Sequence, residues 1–139
     1  MMGVDYLAVL VASVAQFAIG AIWYMPIFGK LWGQIHGFDK LSKKEQKEAQ
    51  KSMMPWLVVQ FVVTVMTSFA LAKLFALAPD YSIYKLALII WLGFFVPVQV
   101  GAVIFGGTDP KWMLKKTLIM SGGSFFCLLA AAAIIGNMQ

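Results

Sequence analysis

Four apolar stretches of about 20 residues each determine what this chain of 139 residues can fold into. They cover residues 6–24, 55–77, 84–105 and 117–135. An α-helix rises about 1.5 Å per residue, so each stretch is long enough to cross a hydrocarbon core of about 30 Å. Since 61% of the residues are apolar and only 12% are charged, too few polar groups remain to cover a water-soluble core. We therefore predict an all-α integral membrane protein, a four-helix transmembrane bundle forming a single domain over residues 1–139.

The lysines predict the orientation of the bundle. Six of the eleven lie between the first two stretches and three lie between the last two, whereas the opposite side has only Lys73 and Lys85. Lys-rich loops stay on the cytoplasmic side of a membrane. We therefore expect a multi-pass protein whose two Lys-rich loops are cytoplasmic and whose two termini are extracytoplasmic.

The first cytoplasmic loop, residues 26–54, has two parts. An amphipathic part has apolar residues at helical spacing and suits the membrane interface; these residues are Phe28, Leu31, Trp32, Ile35 and Phe38. Ser42 and Glu45 then form a capping-box pattern that predicts the start of a polar helix. This helix ends before Pro55, which we expect to mark the entry to the second span. Lys43, Lys47 and Lys51 share one face of it and are predicted to contact anionic headgroups, unless the helix is merely solvated and only fixes topology.

Residues that could carry chemistry are few. None of the six acidic residues lies deep in a predicted span, and His36 and Cys127 are the only imidazole and the only thiol. The sequence thus predicts no catalytic residue, no metal site and no cofactor, and it argues against an enzyme. A proton-coupled carrier would need an ionisable group inside the membrane. Nucleic acid is not an expected partner, because the basic loops flank membrane spans and contain no Arg.

Five neutral polar residues within the spans lie in the cytoplasmic half, at depths of about 6–11 Å. They are Gln16, Gln60, Gln99, Ser121 and Ser124. Unpaired amides are costly in hydrocarbon, so we expect these groups to face inward and meet. Small residues at positions 93, 97 and 101, and the pair Gly122 and Gly123, are predicted to support that inward face. The cluster then either joins the helices or forms a pocket for a neutral lipophile.

One string of residues at the end of the first span resembles a known signature. It consists of Gly20, Trp23, Tyr24, Pro26, Phe28, Gly29, Lys30 and Trp32, and it is similar to the G-x-x-W-Y-x-P-x-F-G-K-x-W pattern of a bacterial membrane family, domain of unknown function 1761. Residues 91–94 resemble the W-x-G-F element of the same family. The resemblance implies a small four-span protein of the bacterial cytoplasmic (inner) membrane, without an established activity.

The resemblance also directs attention to an aromatic corner, which consists of Trp23, Tyr24, Pro26, Phe28 and Trp32. This corner either forms a turn that holds the interfacial segment or opens toward the polar cluster. Three functions stay open. The first is an accessory or structural subunit that associates with a larger membrane assembly, with lipid or with a second copy. The others are a binding protein for a neutral lipophile and an uncoupled channel or facilitator.

Overall fold

A computed structural model describes residues 3–139, which fold into helices and turns without a strand in that range. The α-helices are α1 (Tyr6–Ile22), α2 (Gly29–Ile35), α3 (Lys43–Leu77), α4 (Ile83–Ile90), α5 (Val96–Phe105) and α6 (Met113–Met138). Two π-helical turns, Trp23–Ile27 and Trp91–Phe95, extend α1 and join α4 to α5. Short 3-10 turns occupy Phe38–Lys40 and Pro110–Trp112.

Four of these helical segments are long and apolar enough to cross a membrane, which confirms the predicted all-α, four-span architecture. We call them span 1 (Tyr6–Ile27), span 2 (Lys43–Leu77), span 3 (Ile83–Phe105) and span 4 (Pro110–Met138).

Spans 1 and 4 form the centre of the molecule. Helix α1 packs against both α6 and α3, and span 3 packs against α6. The core between them is rich in alanine, with Ala8, Ala12, Ala131 and Ala132 fully buried. Small side chains let helix backbones approach closely, which is the usual basis of helix association in lipid. Spans 2 and 3 contact each other chiefly through α4, so each leaves one side open.

Helix α3 differs from its predicted form. The polar helix and the second span are one continuous helix of 35 residues, with Pro55 inside it, so the prediction that the polar helix ends before Pro55 is wrong. Proline has no N–H and lacks one helical hydrogen bond, but its fixed φ suits a helix. A helix of this length extends about 50 Å at 1.5 Å per residue. Its polar first turns therefore lie outside a hydrocarbon core of about 30 Å.

The capping box at the start of α3 is confirmed. The Ser42 hydroxyl accepts a hydrogen bond from the Glu45 N–H at 3.2 Å, and the Glu45 carboxylate accepts one from the Ser42 N–H at 3.1 Å. The backbone and side-chain hydrogen bonds from Ser42 lower the pKa of Glu45. A carboxylate with a lowered pKa stabilises the folded state above its ordinary pKa of 4.5, and this contribution is lost as the pH falls through the lowered value.

We expect Ser42→Ala to loosen the first turn of α3 without affecting the spans. Loss of an N-cap costs about 1 kcal/mol, which corresponds to roughly fivefold faster opening of the capped turn. Amide hydrogen exchange of residues 43–46 measures this effect. Ser52→Ala is a suitable control, because the Ser52 hydroxyl donates only to the Ala49 carbonyl of its own helix. Equal exchange in the two variants would show that the box does not hold the helix start.

Candidate functional site

Both π-helical turns begin with a tryptophan that binds α6. The Trp23 indole N–H donates to the carbonyl of Ile119 at 2.8 Å, and the Trp91 indole N–H donates to the carbonyl of Ser121, also at 2.8 Å. The Gln99 amide donates to the intervening carbonyl of Met120 at 3.4 Å. Three consecutive carbonyls of α6 thus accept hydrogen bonds from spans 1 and 3. We call Trp23, Trp91 and Gln99 the α6 collar.

The π-helical turns position the two indoles. A π-helical turn inserts one extra residue into an α-helix and redirects the side chains around it, and such turns are frequent at functional sites. Here the two turns occupy Trp23–Ile27 and Trp91–Phe95, on the spans that flank α6. Helix α6 lies between these spans and is therefore contacted by the Trp23 indole from span 1 and the Trp91 indole from span 3.

Two glycines of α6 provide space for the Trp23 ring. A Cβ atom at Gly122 would lie 2.9 Å from Trp23 Cζ2, and one at Gly123 would lie 2.9 Å from Trp23 Cδ1. The indole also packs against Phe28 and Phe126, at centroid distances of 4.8 and 5.4 Å. The glycine pair thus faces inward, as predicted, and its neighbour is an aromatic ring rather than a helix backbone.

Three of the five residues of the predicted polar cluster lie at the collar. The hydroxyls of Ser121 and Ser124 each donate to Gln99 Oε1 at 3.3 Å. The Trp91 indole N–H also approaches Ser124 Oγ at 3.2 Å. The amide oxygen and nitrogen of Gln99 are both used, so this set satisfies its own hydrogen bonds between spans 3 and 4.

Gln16 belongs to a separate polar set between α1 and α3. Its amide nitrogen donates to Ser68 Oγ at 2.6 Å, and the Ser13 hydroxyl donates to the same oxygen at 2.9 Å. Ser13 and Ser68 are fully buried and were not predicted. Ser13 precedes Gln16 by three residues, a spacing that places both on one face of α1 and could have indicated Ser13.

Gln60 lies in neither set. It is exposed, and among the described residues the only side chain to which its amide donates a hydrogen bond is Thr64 of its own helix, at 3.5 Å. The prediction of one cluster is therefore wrong, because depth in the membrane does not fix the direction in which a residue faces around its helix.

The predicted inward stripe of span 3 is also wrong. Gly93 and Pro97 are exposed, and a Cβ atom added at Gly93 or at Gly101 would have no neighbour within 4 Å. Trp91 and Gln99 bind α6. Each small residue of the stripe lies two positions from one of them, and residues two positions apart on a helix face roughly opposite directions. The small residues of span 3 consequently face away from the bundle.

The aromatic corner divides into two contacts. Trp23 and Phe28 pack together beside α6, whereas Tyr24 packs against Trp32 at a centroid distance of 4.7 Å. The fifth member, Pro26, is exposed inside the π-helical turn. The turn is tight, since a Cβ atom at Gly29 would lie 3.3 Å from the Tyr24 carbonyl oxygen. This packing favours the first interpretation of the corner, a turn that holds the following helix.

The other conspicuous feature is an apolar groove between spans 1 and 4. It has a volume of about 490 Å³ and its lining includes Ile19, Ile22, Trp23, Phe126 and Ala130. A smaller cavity of about 210 Å³ lies beside Trp91, between spans 3 and 4. None of the five predicted polar residues lines either space. Within residues 3–139, no group of three His, Cys, Asp or Glu side chains could hold a metal ion.

The fold and this site define a class, the four-span helical membrane proteins whose last span is held by side chains of spans 1 and 3. The family model described as "Protein of unknown function (DUF1761)" matches residues 7–136, and the chain belongs to this family. The match confirms the resemblance seen in the sequence. No curated protein matches the chain, and no solved structure matches it.

Proposed function

We propose that this chain is a non-catalytic accessory subunit of the bacterial cytoplasmic membrane, with both termini extracytoplasmic, that binds a transmembrane helix of a partner through span 3. The observation that carries this proposal is the outward direction of the small residues of span 3. Only 6% of the most apolar window of span 3 is buried, against 39% for span 4. Span 3 is therefore the least buried of the four spans.

The exposed face of span 3 has the features of a helix contact. Gly93 leaves room for a backbone to approach, and the neighbouring Phe94 and Val98 are 66% and 71% exposed. Pro97 has no N–H for the Gly93 carbonyl four residues before it, so this carbonyl lacks its ordinary helical donor. A polar side chain of a partner helix could supply that donor in a medium without water.

Site-specific photo-crosslinking in native membranes tests this proposal. A photoreactive residue at Val98 should give one discrete adduct, whereas the same residue at Val62, an exposed position on span 2, should give little. The mass of the adduct distinguishes a second copy from a different protein. Equal, diffuse labelling at both positions would contradict the proposal, because it would indicate that lipid alone covers span 3.

A matched pair of variants tests the contact itself. Gly93→Leu should reduce the Val98 adduct severalfold, since the larger side chain prevents close approach. Ala70→Leu, on the exposed face of α3, should not change it. An unchanged Val98 adduct in the Gly93→Leu variant would contradict a helix contact at this face.

A second candidate, the binding of a neutral lipophile, is favoured by the groove of about 490 Å³. The residues that line the groove are all apolar, so the groove suits an acyl or isoprenoid chain rather than a ligand held by amides. Ala130→Phe would fill the groove and should remove most of any lipophile that co-purifies, as measured by mass spectrometry. Ala70→Phe is the control, and equal ligand content in the two variants would reject the groove as a binding site.

A channel has less support. The amides of Gln16 and Gln99 belong to two separate hydrogen-bonded sets, and Gln60 lies in neither, so the span amides do not form one continuous polar path.

A further inference from the structure

Three lysines at the start of span 4 lie over tryptophan rings. The ammonium groups of Lys111 and Lys115 lie 5.7 and 5.3 Å from the centroid of Trp112. The ammonium group of Lys116 lies 5.8 Å from the centroid of Trp32, which belongs to α2. Lys115 and Lys116 are consecutive residues in the first turn of α6, so both tryptophans lie beside the start of this helix. We call these five residues the Lys–Trp cluster.

The Trp32 ring is held by other aromatic rings, and the backbone of Trp112 is held by a hydrogen bond. Trp32 packs against Tyr24 at 4.7 Å and against His36 at 4.4 Å between ring centroids. Both tryptophans of the cluster are partly buried, and the Trp112 backbone N–H donates to the Asp109 carbonyl at 2.8 Å. A cation over an indole face gains roughly 0.5–1 kcal/mol at an exposed site, which restricts the motion of the long side chain. The lysine side chains are therefore partly preorganised, so they lose less conformational entropy when a ligand binds.

The positive charge of the cluster is not compensated. In the part of the chain that the structure describes, no Asp or Glu oxygen lies within 4.0 Å of these three ammonium groups. Asp109 is the only acidic residue after Asp80, and its carboxylate accepts a hydrogen bond from the backbone N–H of Lys111 at 3.2 Å. The three ammonium groups are therefore free to bind an anionic ligand.

The position of the cluster indicates the source of that anion. Lys115 and Lys116 lie in the first turn of α6, directly before the apolar stretch that begins at residue 117. Tryptophan side chains favour the headgroup region of a bilayer, where the indole is partly in the apolar phase and its N–H partly hydrated. The ammonium groups are therefore placed at the depth of lipid phosphates.

The lysines of α3 offer no comparable site. Lys43, Lys47 and Lys51 are exposed on the polar turns of α3, and none of them lies over an aromatic ring among the contacts of residues 3–139. Lys43 precedes the apolar part of the helix by about 18 Å at 1.5 Å per residue. These lysines contribute charge near the membrane without a fixed arrangement.

We propose that the Lys–Trp cluster is a binding site for the phosphate of an anionic phospholipid. The three ammonium groups donate hydrogen bonds to the phosphate oxygens, and the Trp32 and Trp112 rings hold the lysine side chains in place at the interface. A free phosphate ion has the same chemistry at its oxygens, so the test must separate the two sources. The site is independent of any partner that span 3 binds.

Two triple variants of equal charge test the proposal. The full chain is purified in mixed micelles that contain equal amounts of phosphatidylglycerol and phosphatidylcholine, and native mass spectrometry counts the retained lipids. K111Q/K115Q/K116Q should reduce the preference for phosphatidylglycerol about tenfold or more, whereas K43Q/K47Q/K51Q should reduce it less than about twofold. An equal loss in both variants would overturn the site, because it would show that only net charge matters.

The role of the rings needs a variant that keeps all the lysines. W32L/W112L should weaken the phosphatidylglycerol preference about threefold or more through loss of the fixed side-chain arrangement. Circular dichroism checks that the helices persist, and the single variant W112L replaces the double variant if they do not. An unchanged preference in the folded variant would overturn the arrangement.

Retention of the lipid when phosphate replaces chloride at equal ionic strength supports a lipid ligand, and its displacement by phosphate overturns that assignment.

Discussion

Gly123→Ala is expected to displace the Trp23 indole from α6 and to lower the free energy of unfolding by about 2–3 kcal/mol. A Cβ atom at this position would lie 2.9 Å from Trp23 Cδ1 and 3.0 Å from Nε1. The ring cannot easily move away, because its N–H is bound to the Ile119 carbonyl and its faces contact Phe28 and Phe126. Overpacking costs roughly 1–3 kcal/mol and an unpaired buried N–H costs roughly as much again. The better helix propensity of alanine offsets only about 1 kcal/mol.

Unfolding in a titration with a denaturing detergent, followed by far-ultraviolet circular dichroism, measures this loss. Gly20→Ala is the matched control, because a Cβ atom at Gly20 would have no neighbour within 4 Å, and we expect it to be neutral or stabilising. The decisive comparison uses a Trp23→Ala background, in which Gly123→Ala should cost almost nothing. The same cost in both backgrounds would show that the ring and the glycine are not coupled.

Ser68→Ala is expected to lower the free energy of unfolding by about 2 kcal/mol, more than most polar deletions in a membrane. The Ser68 oxygen accepts hydrogen bonds from both Gln16 and Ser13, and the serine is fully buried. An average interhelical hydrogen bond in a membrane contributes about 0.6 kcal/mol. Here the substitution also leaves the Gln16 amide, which is 6% exposed, without a partner, and a buried unsatisfied group costs about 1–3 kcal/mol.

The same detergent titration measures this second effect. Thr67→Val is the control, because the Thr67 hydroxyl donates only to the Val63 carbonyl of its own helix, and it should cost less than about 0.6 kcal/mol. Gln16→Met in the Ser68→Ala background should recover part of the loss, since the unpaired amide is then removed. Purely additive losses for the two substitutions would contradict a shared hydrogen-bond network.

Local features of this protein could be read from the sequence because their causes are local. The capping box of Ser42 and Glu45 depends on four consecutive residues, and it is present as predicted. Pro55 was misjudged for a related reason. A proline usually ends a helix, but here the polar and apolar helices on its two sides continue through it, at a point where water can satisfy the carbonyl that it leaves free.

The amino-acid sequence by itself determined the number and class of the spans, since length and hydropathy alone decide whether a segment can cross a bilayer. Only the tertiary structure decided that Gly123 faces an indole, that Gln16 is buried while Gln60 is exposed, and that Gly93 faces outward. The physical reason lies in the solvent. Lipid is as apolar as a helix interface, so both faces of a span carry similar residues and their periodicity does not reveal which face is buried.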